Sequence, residues 1–576
     1  MEKIAKRKAW HVLLSAVLTV SVLLSACGGG STTTQTPDKS LSPEVTDAPE
    51  EVETLPLAGV RPVLGLTYDV DYHYDEDREA IVNSMEAELP GVDAATRTQH
   101  PELADALDKF RDTALASAKA AYQEREAALP DIMDAGDAVQ ALGGEVHSMI
   151  RRADAKAVSV LNYWRDYSGG AHESYGYGAA NFDTASGAEI TLDDLLTDEG
   201  KLTINARLGQ ELDALYTEIA LGYMLADYLL DDYTFSLEPD GVTFWFNPYE
   251  IASYADGVLS AKLYFDRDTD MLKPDYKGQD EAWFVEIGTE TPYRFASGDA
   301  FRTVEAWSVI LKDYSDWYSG FGIEFDAPED SGRWAERITL EDEETDWMAP
   351  EGRNIILDRT GYFSATFYYA HIPAGDYVLA SLSMEDDGSE IIVYRADGTL
   401  AQTLNMTSPT AFTYPELPEN TDDIDWSDYD SYRRALTDPY DTPLSTRFDL
   451  FGTWTGSGAY CLTADGFQLI SMWDLLYITG EYVLTLNQDL TVTRRASDYW
   501  PLSMEEDFTL PAGTKVQLMA ADTSQSAYFR VLESSAEFTK NVDFIFALCY
   551  NNPDEWPRTI NGVEEYVIFD GLSYAG

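Results

Sequence analysis

Residues 157–167, Ala157-Val158-Ser159-Val160-Leu161-Asn162-Tyr163-Trp164-Arg165-Asp166-Tyr167, run into Ser168-Gly169-Gly170 and then into residues 172–182. The first segment is rich in Val, Tyr and Trp, residues that suit a pleated, half-buried surface. Ser168-Gly169-Gly170 reads as a tight turn, because glycine accepts the positive φ that such turns demand. In the segment after it, Tyr175 and Tyr177 fall on one face by the two-residue period of a strand. The stretch therefore predicts a hairpin. Residues 145–152 read as a further strand upstream, and residues 63–74 turn strand-like near the start of the folded part.

Helical signals alternate with these strands. His100-Pro101-Glu102 opens a long helical stretch in which Leu103, Leu107 and Phe110 recur at spacings of four and three, continuing to about residue 129. Residues 192–230 read as predominantly helical. Two more strands, 233–237 and 242–246, flank a Pro239-Asp240-Gly241 turn. Residues 61–268 thus form an α+β domain. Beyond about residue 280 the helical periods fade, and short strands alternate with turns such as Pro373-Ala374-Gly375 and Asp386-Asp387-Gly388. Residues 290–576 are expected to be all-β, as a propeller-like array or a sandwich. An acidic, Pro-rich loop from Tyr414 to about Pro443 interrupts them.

The N-terminus carries an address. Lys3, Lys6, Arg7 and Lys8 precede an apolar run from Val12 to Leu24, which ends in Leu24-Ser25-Ala26-Cys27. The run has the length of a signal-peptide core and is short for a transmembrane helix. Residues 1–26 read as a lipoprotein signal peptide, with Cys27 the lipidated first residue of a protein held at the outer side of the cell membrane. A short uncleaved anchor is the other reading. Residues 27–60, dominated by Gly, Ser, Thr, Pro and acidic residues, read as a disordered tether.

The chain has 576 residues, of which 45% are hydrophobic and 12% aromatic, enough for a large core. Its formal charge is −63; the first 26 residues hold four Lys/Arg and one Asp/Glu, so the remainder carries −66. Such a surface repels nucleic acid and anionic lipid headgroups and attracts basic proteins and divalent cations. The same acidity also serves solubility. Beyond Cys27 only Cys461 and Cys549 remain, both in apolar strand-like contexts, and either a disulfide or two buried thiols fits them.

Catalytic patterns are missing from the sequence. It contains no Walker loop, His-Glu-x-x-His, Gly-x-Ser-x-Gly elbow or Cys-x-x-Cys pair, and its six histidines are scattered. Asp266-x-Asp268-x-Asp270 starts like a calcium loop, but Met271 and Lys277 stand where Gly and Glu are required, so it reads as a solvated turn. The acidic runs 341–346 and 422–430 read as solvated. No metal or cofactor is expected. Trp307, Trp317 and Tyr318, or Trp473 and Tyr477, would suit sugar stacking or core packing equally.

Two segments carry a resemblance. One is Tyr167-Ser168-Gly169-Gly170-Ala171-His172 with the downstream Asn181-Phe182-Asp183-Thr184-Ala185-Ser186-Gly187 and Leu192-Asp193-Asp194-Leu195-Leu196. The other is Phe246-Asn247-Pro248-Tyr249-Glu250-Ile251-Ala252-Ser253-Tyr254-Ala255-Asp256-Gly257. Together they resemble the extracytoplasmic domain of RsiV-like proteins, the lysozyme-sensing anti-sigma factors, a domain also attached to some peptidoglycan deacetylases. The resemblance spans about residues 61–268. It implies a binding module of the cell envelope, with lysozyme or a cell-wall glycan as partner and Ser168, Gly169, Gly170, His172 and Tyr249 at the contact surface. The residues themselves also allow His172 to serve only the geometry of its turn. The chain lacks the Asp-Asp dyad and paired histidines of a family deacetylase, and a lipobox stands where an anti-sigma factor has a spanning helix. The alternative function is a cell-wall polysaccharide hydrolase with an acidic cleft in the β-rich region.

Overall fold

The computed structural model describes residues 61–574 apart from 76–79, 135–140, 217–221, 279, 289–292, 298–299, 313–316, 326–354, 357–361, 385–388, 407–409, 413–430, 449–450, 471–474, 479–481, 496–505, 523–525, 534–544 and 550–557. Cys27, the apolar run before it, both acidic runs and Trp473 lie outside the described residues. No described helix is long and apolar enough to cross a membrane.

The polypeptide first forms β1 (Leu64–Asp75) and β2 (Ala80–Val92), an antiparallel pair, followed by α1 (Ala94–Gln99) and α2 (Pro101–Asp134). Pro101 is the first residue of α2, where its missing N–H would have had no helical partner anyway. β3 (Leu142–Ala153) then pairs with β2 in parallel, and β4 (Ala157–Tyr167) and β5 (Ser174–Asp183) follow antiparallel. A parallel neighbour needs a crossover, and α2 is that crossover. Its Leu103 and Leu107, fully buried, pack with Phe110 against Val158, Val160 and Phe182 on one face of the sheet, and Leu64 and Leu66 join the same core.

Residues 192–230 are less helical than their composition suggests. They give a single turn, α3 (Leu192–Leu195), and one true helix, α4 (Asp198–Leu215), followed by short 3₁₀ segments. Thr197 caps α4 by accepting a hydrogen bond from Gly200 N at 3.0 Å. Next come β6 (Thr234–Leu237), β7 (Gly241–Phe246) and β8 (Leu259–Tyr264), a three-stranded antiparallel sheet. Every residue of β7 is buried because both its faces are covered. Val242, Phe244 and Phe246 meet Ile204, Leu208 and Leu212 of α4, while Trp245 meets Tyr177 of β5. The first half of the chain is therefore four layers deep: α2, large sheet, small sheet, then α3 and α4.

The rest is mostly β, as expected. β9 (Trp283–Ile287) pairs with β14 (Tyr362–Ile372), which continues through β15 (Gly375–Met384), β16 (Ser389–Arg395) and β17 (Leu400–Leu404) as an antiparallel meander. Before it, β10 (Tyr293–Ser297), β11 (Ala300–Lys312), β12 (Trp317–Phe325) and β13 (Ile355–Ile356) form a second sheet. β18 (Thr410–Phe412) and β19 (Ser431–Arg434) then return to the large sheet, where β19 lies beside β1, with Gly65 opposite Arg434. Strands between Thr442 and Asp570 complete an 11-stranded array. Cys461 is a buried free thiol there. Asp268 departs from the expected solvated turn: it is 7% exposed, and its carboxylate is held by Arg207 at 2.8 Å and Arg267 at 2.9 Å.

Candidate functional site: the meeting of two motifs

The turn after β4 behaves as its glycines require, with Gly169 at φ +93° and Gly170 at φ +115°. Tyr167 donates its hydroxyl to the Gly170 carbonyl at 3.1 Å, closing the turn. Ser168 hydrogen-bonds the Asp166 carboxylate, whose pKa is nonetheless raised by burial against the pull of Arg125. Ser168, Gly169, Gly170 and His172 are all exposed. The strand begins at Ser174, two residues later than the periodicity suggested, because His172 turns its Nδ1 to the Glu173 carbonyl at 2.9 Å instead of joining the ladder.

The second motif follows β7. Asn247 N donates to the Glu250 side chain at 2.9 Å while Glu250 N donates to the Asn247 carbonyl at 3.0 Å, making a closed turn. Within it Tyr249 adopts φ +70° and stays 49% exposed. A non-glycine residue in this region stores backbone strain, which persists only where the surroundings enforce it. Ile251, 3% exposed, anchors the segment in the core beneath α4. Asn247 ties it to the large sheet: its side-chain amide accepts from Tyr177 N at 2.6 Å and donates to Tyr177 O at 3.1 Å. The amide stands in for a neighbouring strand along the free edge of β5.

These ties bring the two motifs together. The His172 and Tyr254 rings stack with centroids 4.0 Å apart and planes 27° apart. Tyr175 meets Tyr254 edge-on at 5.4 Å, and Tyr249 lies 5.8 Å from Tyr254. Inward from this cluster, Tyr163 contacts both Tyr175 at 6.5 Å and Tyr177 at 5.5 Å, and Tyr177 meets buried Trp245 at 5.0 Å. Desolvation, then the Glu173 carboxylate and Tyr249, lifts the Tyr254 hydroxyl above its ordinary pKa. The cluster offers aromatic faces and hydroxyls to a partner, chemistry that suits contact with protein or sugar surfaces.

Of the residues expected at a contact surface, His172 and Tyr249 thus share one cluster, joined by Tyr254. Ser168, Gly169 and Gly170 shape the turn that presents His172. Tyr254, Tyr175 and Asn247 complete the arrangement. The cue for Tyr254 was its place within the second motif, whereas Asn247 had no signal as a strand mimic. Among the described residues no group of three or more His, Cys, Asp or Glu is placed to hold a metal ion.

No curated protein matches this chain. Among solved structures, a member of the DUF3298 family from Bacteroides fragilis is 18% identical, with 36% of this chain and 94% of that one covered and a TM-score of 0.29. A DUF3298 family protein from Pseudomonas aeruginosa is 16% identical over 38% of this chain and 98% of its own, also with a TM-score of 0.29. Residues 193–266, the stretch from α3 through β8, match the family model described as "Protein of unknown function (DUF3298)", and this stretch is a DUF3298 domain.

Proposed function

We propose that this protein is a binding lipoprotein of the cell envelope, anchored through an acylated Cys27, whose RsiV-like α+β domain binds a protein or glycan such as lysozyme or peptidoglycan. The observation that supports the contact surface is the His172–Tyr254 stack, which joins the two motif segments beside an exposed Tyr249 at φ +70°. Rigid, exposed aromatic side chains lose little entropy on binding, and they supply large contact areas. The acidic surface steers a cationic partner toward that cluster.

The test is titration of the chain from residue 28 onward with lysozyme at about 0.15 M salt, where the Debye length is only about 8 Å. Micromolar or tighter binding that weakens about tenfold in Tyr249→Ala/Tyr254→Ala supports the reading, a loss of about 1.4 kcal/mol. Binding that vanishes at that salt, or that ignores the substitutions, refutes the lysozyme surface. Pull-down with insoluble peptidoglycan tests the glycan, and release of soluble fragments in the same assay would point instead to a hydrolase.

A further inference from the structure

Among the described residues, the face of the large sheet opposite α2 is covered over only part of its extent. The small sheet lies against the end of β4 and β5 that holds Ser159 and Asn181; Leu237 N donates to both side chains, at 3.1 Å and 2.9 Å. Met149, Leu161, Tyr177 and Trp245 mark where that coverage ends. Beyond them two cross-strand rows run over the sheet. One is Tyr68, Glu88, His147 and Tyr163; the other is Val70, Glu86, Glu145, Arg165 and Tyr175.

A continuous polar chain joins these rows from one side to the other. Tyr68 hydrogen-bonds Glu86, and the negative charges of Glu86 and Glu88 both act on it. His147 sits between carboxylates, with Nδ1 3.5 Å from Glu88 and Nε2 3.8 Å from Glu145. Arg165 lies 2.8 Å from Glu145 and 3.5 Å from Glu173, and Glu173 acts in turn on Tyr254 of the motif cluster. The surface remains accessible: Tyr68 is 42% and Tyr72 60% exposed, and the His147 side chain 37%. Four glutamates face two basic groups across it, so it stays acidic even when His147 is charged.

An exposed sheet face with tyrosines along both margins and carboxylates along its middle is complementary to arginine and lysine side chains. Their ammonium and guanidinium groups pair with the carboxylates, and guanidinium planes also stack on tyrosine rings. We propose that this open half of the sheet is a docking surface for a basic protein, continuous with the His172–Tyr254 cluster. The inference rests on the binding reading above and extends it from two loops to five strands. Glu86 sits within the second row and Tyr72 on the β1 margin beside it, both some way from the motif residues in sequence.

The experiment uses the chain from residue 28 onward, with lysozyme and cytochrome c as basic probes, at about 0.15 M salt to screen diffuse attraction. Glu86→Gln/Tyr72→Ser removes one charge and one ring from the face while keeping both His147 carboxylates. Asp105→Asn/Glu124→Gln removes two charges from exposed positions of α2, behind the sheet. The expected result is binding of at least one probe, weakened about tenfold by the face substitutions and less than twofold by those on α2. Failure of both probes to bind, or equal weakening by the two variants, overturns the docking surface. Weakening by Tyr249→Ala/Tyr254→Ala but not by Glu86→Gln/Tyr72→Ser also overturns it, while leaving the motif cluster as the contact site. Thermal melting of each variant distinguishes lost contact from lost fold.

Discussion

Arg151 and Glu238 form an ion pair in the interior, where their side chains are 4% and 0% exposed. Glu238 also takes Lys262 Nζ at 2.6 Å, and Arg151 donates to the Glu286 carbonyl at 2.7 Å. The carboxylate is therefore the counter-charge for two buried cations. Burial pushes its pKa up, but Arg151 and Lys262 outweigh that and hold it low. The cluster links β3 of the large sheet, the β6–β7 turn, β8 and β9.

Removing Glu238 leaves Arg151 buried without its ion-pair partner and Lys262 with Asp240 alone, and breaking a buried cluster in this way costs about 3–5 kcal/mol. Glu238→Gln is expected to lower the urea midpoint more than Glu238→Leu/Arg151→Met/Lys262→Met, which removes all three charges together. Equal destabilisation by both proteins would show that the hydrogen bonds, rather than the unpaired charges, dominate.

Asn247→Ala removes both hydrogen bonds to the β5 edge and leaves Tyr177 N without its partner. An unsatisfied buried donor costs about 1–3 kcal/mol. Amide exchange at Tyr177 is expected to accelerate strongly, with β3 amides unaffected. Unchanged protection at Tyr177 would mean that a water or another loop replaces the amide without loss.

These two predictions rest on features of unequal visibility. β4 could be read directly at Ala157–Tyr167 because Val, Tyr and Trp suit a strand, and its first six residues are buried on both faces. β2 escaped notice: Met85, Glu86, Ala87, Glu88 and Leu89 are helix formers, overridden here by pairing with β1 and β3. β8 was hidden by Lys262, a charge that sits in a strand core only because Glu238 and Asp240 receive it. The two motifs were visible as segments. Their meeting was not, since it depends on Asn247 bonding a strand 70 residues away. The carboxylates around His147 were hidden for a related reason, because the parallel β2–β3 register alone sets Glu88 beside it.

His147 gives a pH dependence with a definite sign. Burial disfavours its charge, but the hydrogen bonds and charges of Glu145 and Glu88 outweigh that and lift its pKa from 6.5 to about 9. A pKa raised by folding adds stability that is fully present below about pH 6.5 and disappears as pH rises through about 9. Wild-type protein should therefore lose stability between those values relative to His147→Gln. Proton exchange followed by NMR at the His147 ring should titrate near 9; a midpoint at or below 6.5 would refute the arrangement.

Gly187 and Gly170 both have positive φ, +64° and +115°, yet their substitution should differ. A Cβ on Gly187 would lie 2.3 Å from the Glu102 carbonyl oxygen at the start of α2, whereas one on Gly170 would meet none of the described residues within 4 Å. Gly170→Ala should therefore carry only the backbone penalty of about 1–2 kcal/mol. Gly187→Ala should cost clearly more, because the turn and the helix must also separate. Equal denaturation midpoints for the two variants would contradict this packing.

The last prediction concerns whether residues 61–268 stand alone. β1 has β2 on one side and β19, from beyond residue 430, on the other. Ala435 N donates to Leu64 O at 2.8 Å, and Arg61 reaches the Ala282 carbonyl at 2.6 Å and the Asp438 carboxylate at 3.3 Å. Cutting the chain at 268 strips these partners from β1 and also removes the Glu286 carbonyl from Arg151. The exposed strand edge would then be a template for pairing with another copy. A fragment of residues 61–268 is expected to self-associate and to unfold at lower urea than the chain from residue 28 onward. Addition of Lys or Pro on the β1 edge should suppress the association without restoring stability. Sedimentation and urea unfolding of the fragment check both parts. A monomeric fragment with the stability of the full chain would show that β19 merely rests against a sheet already complete.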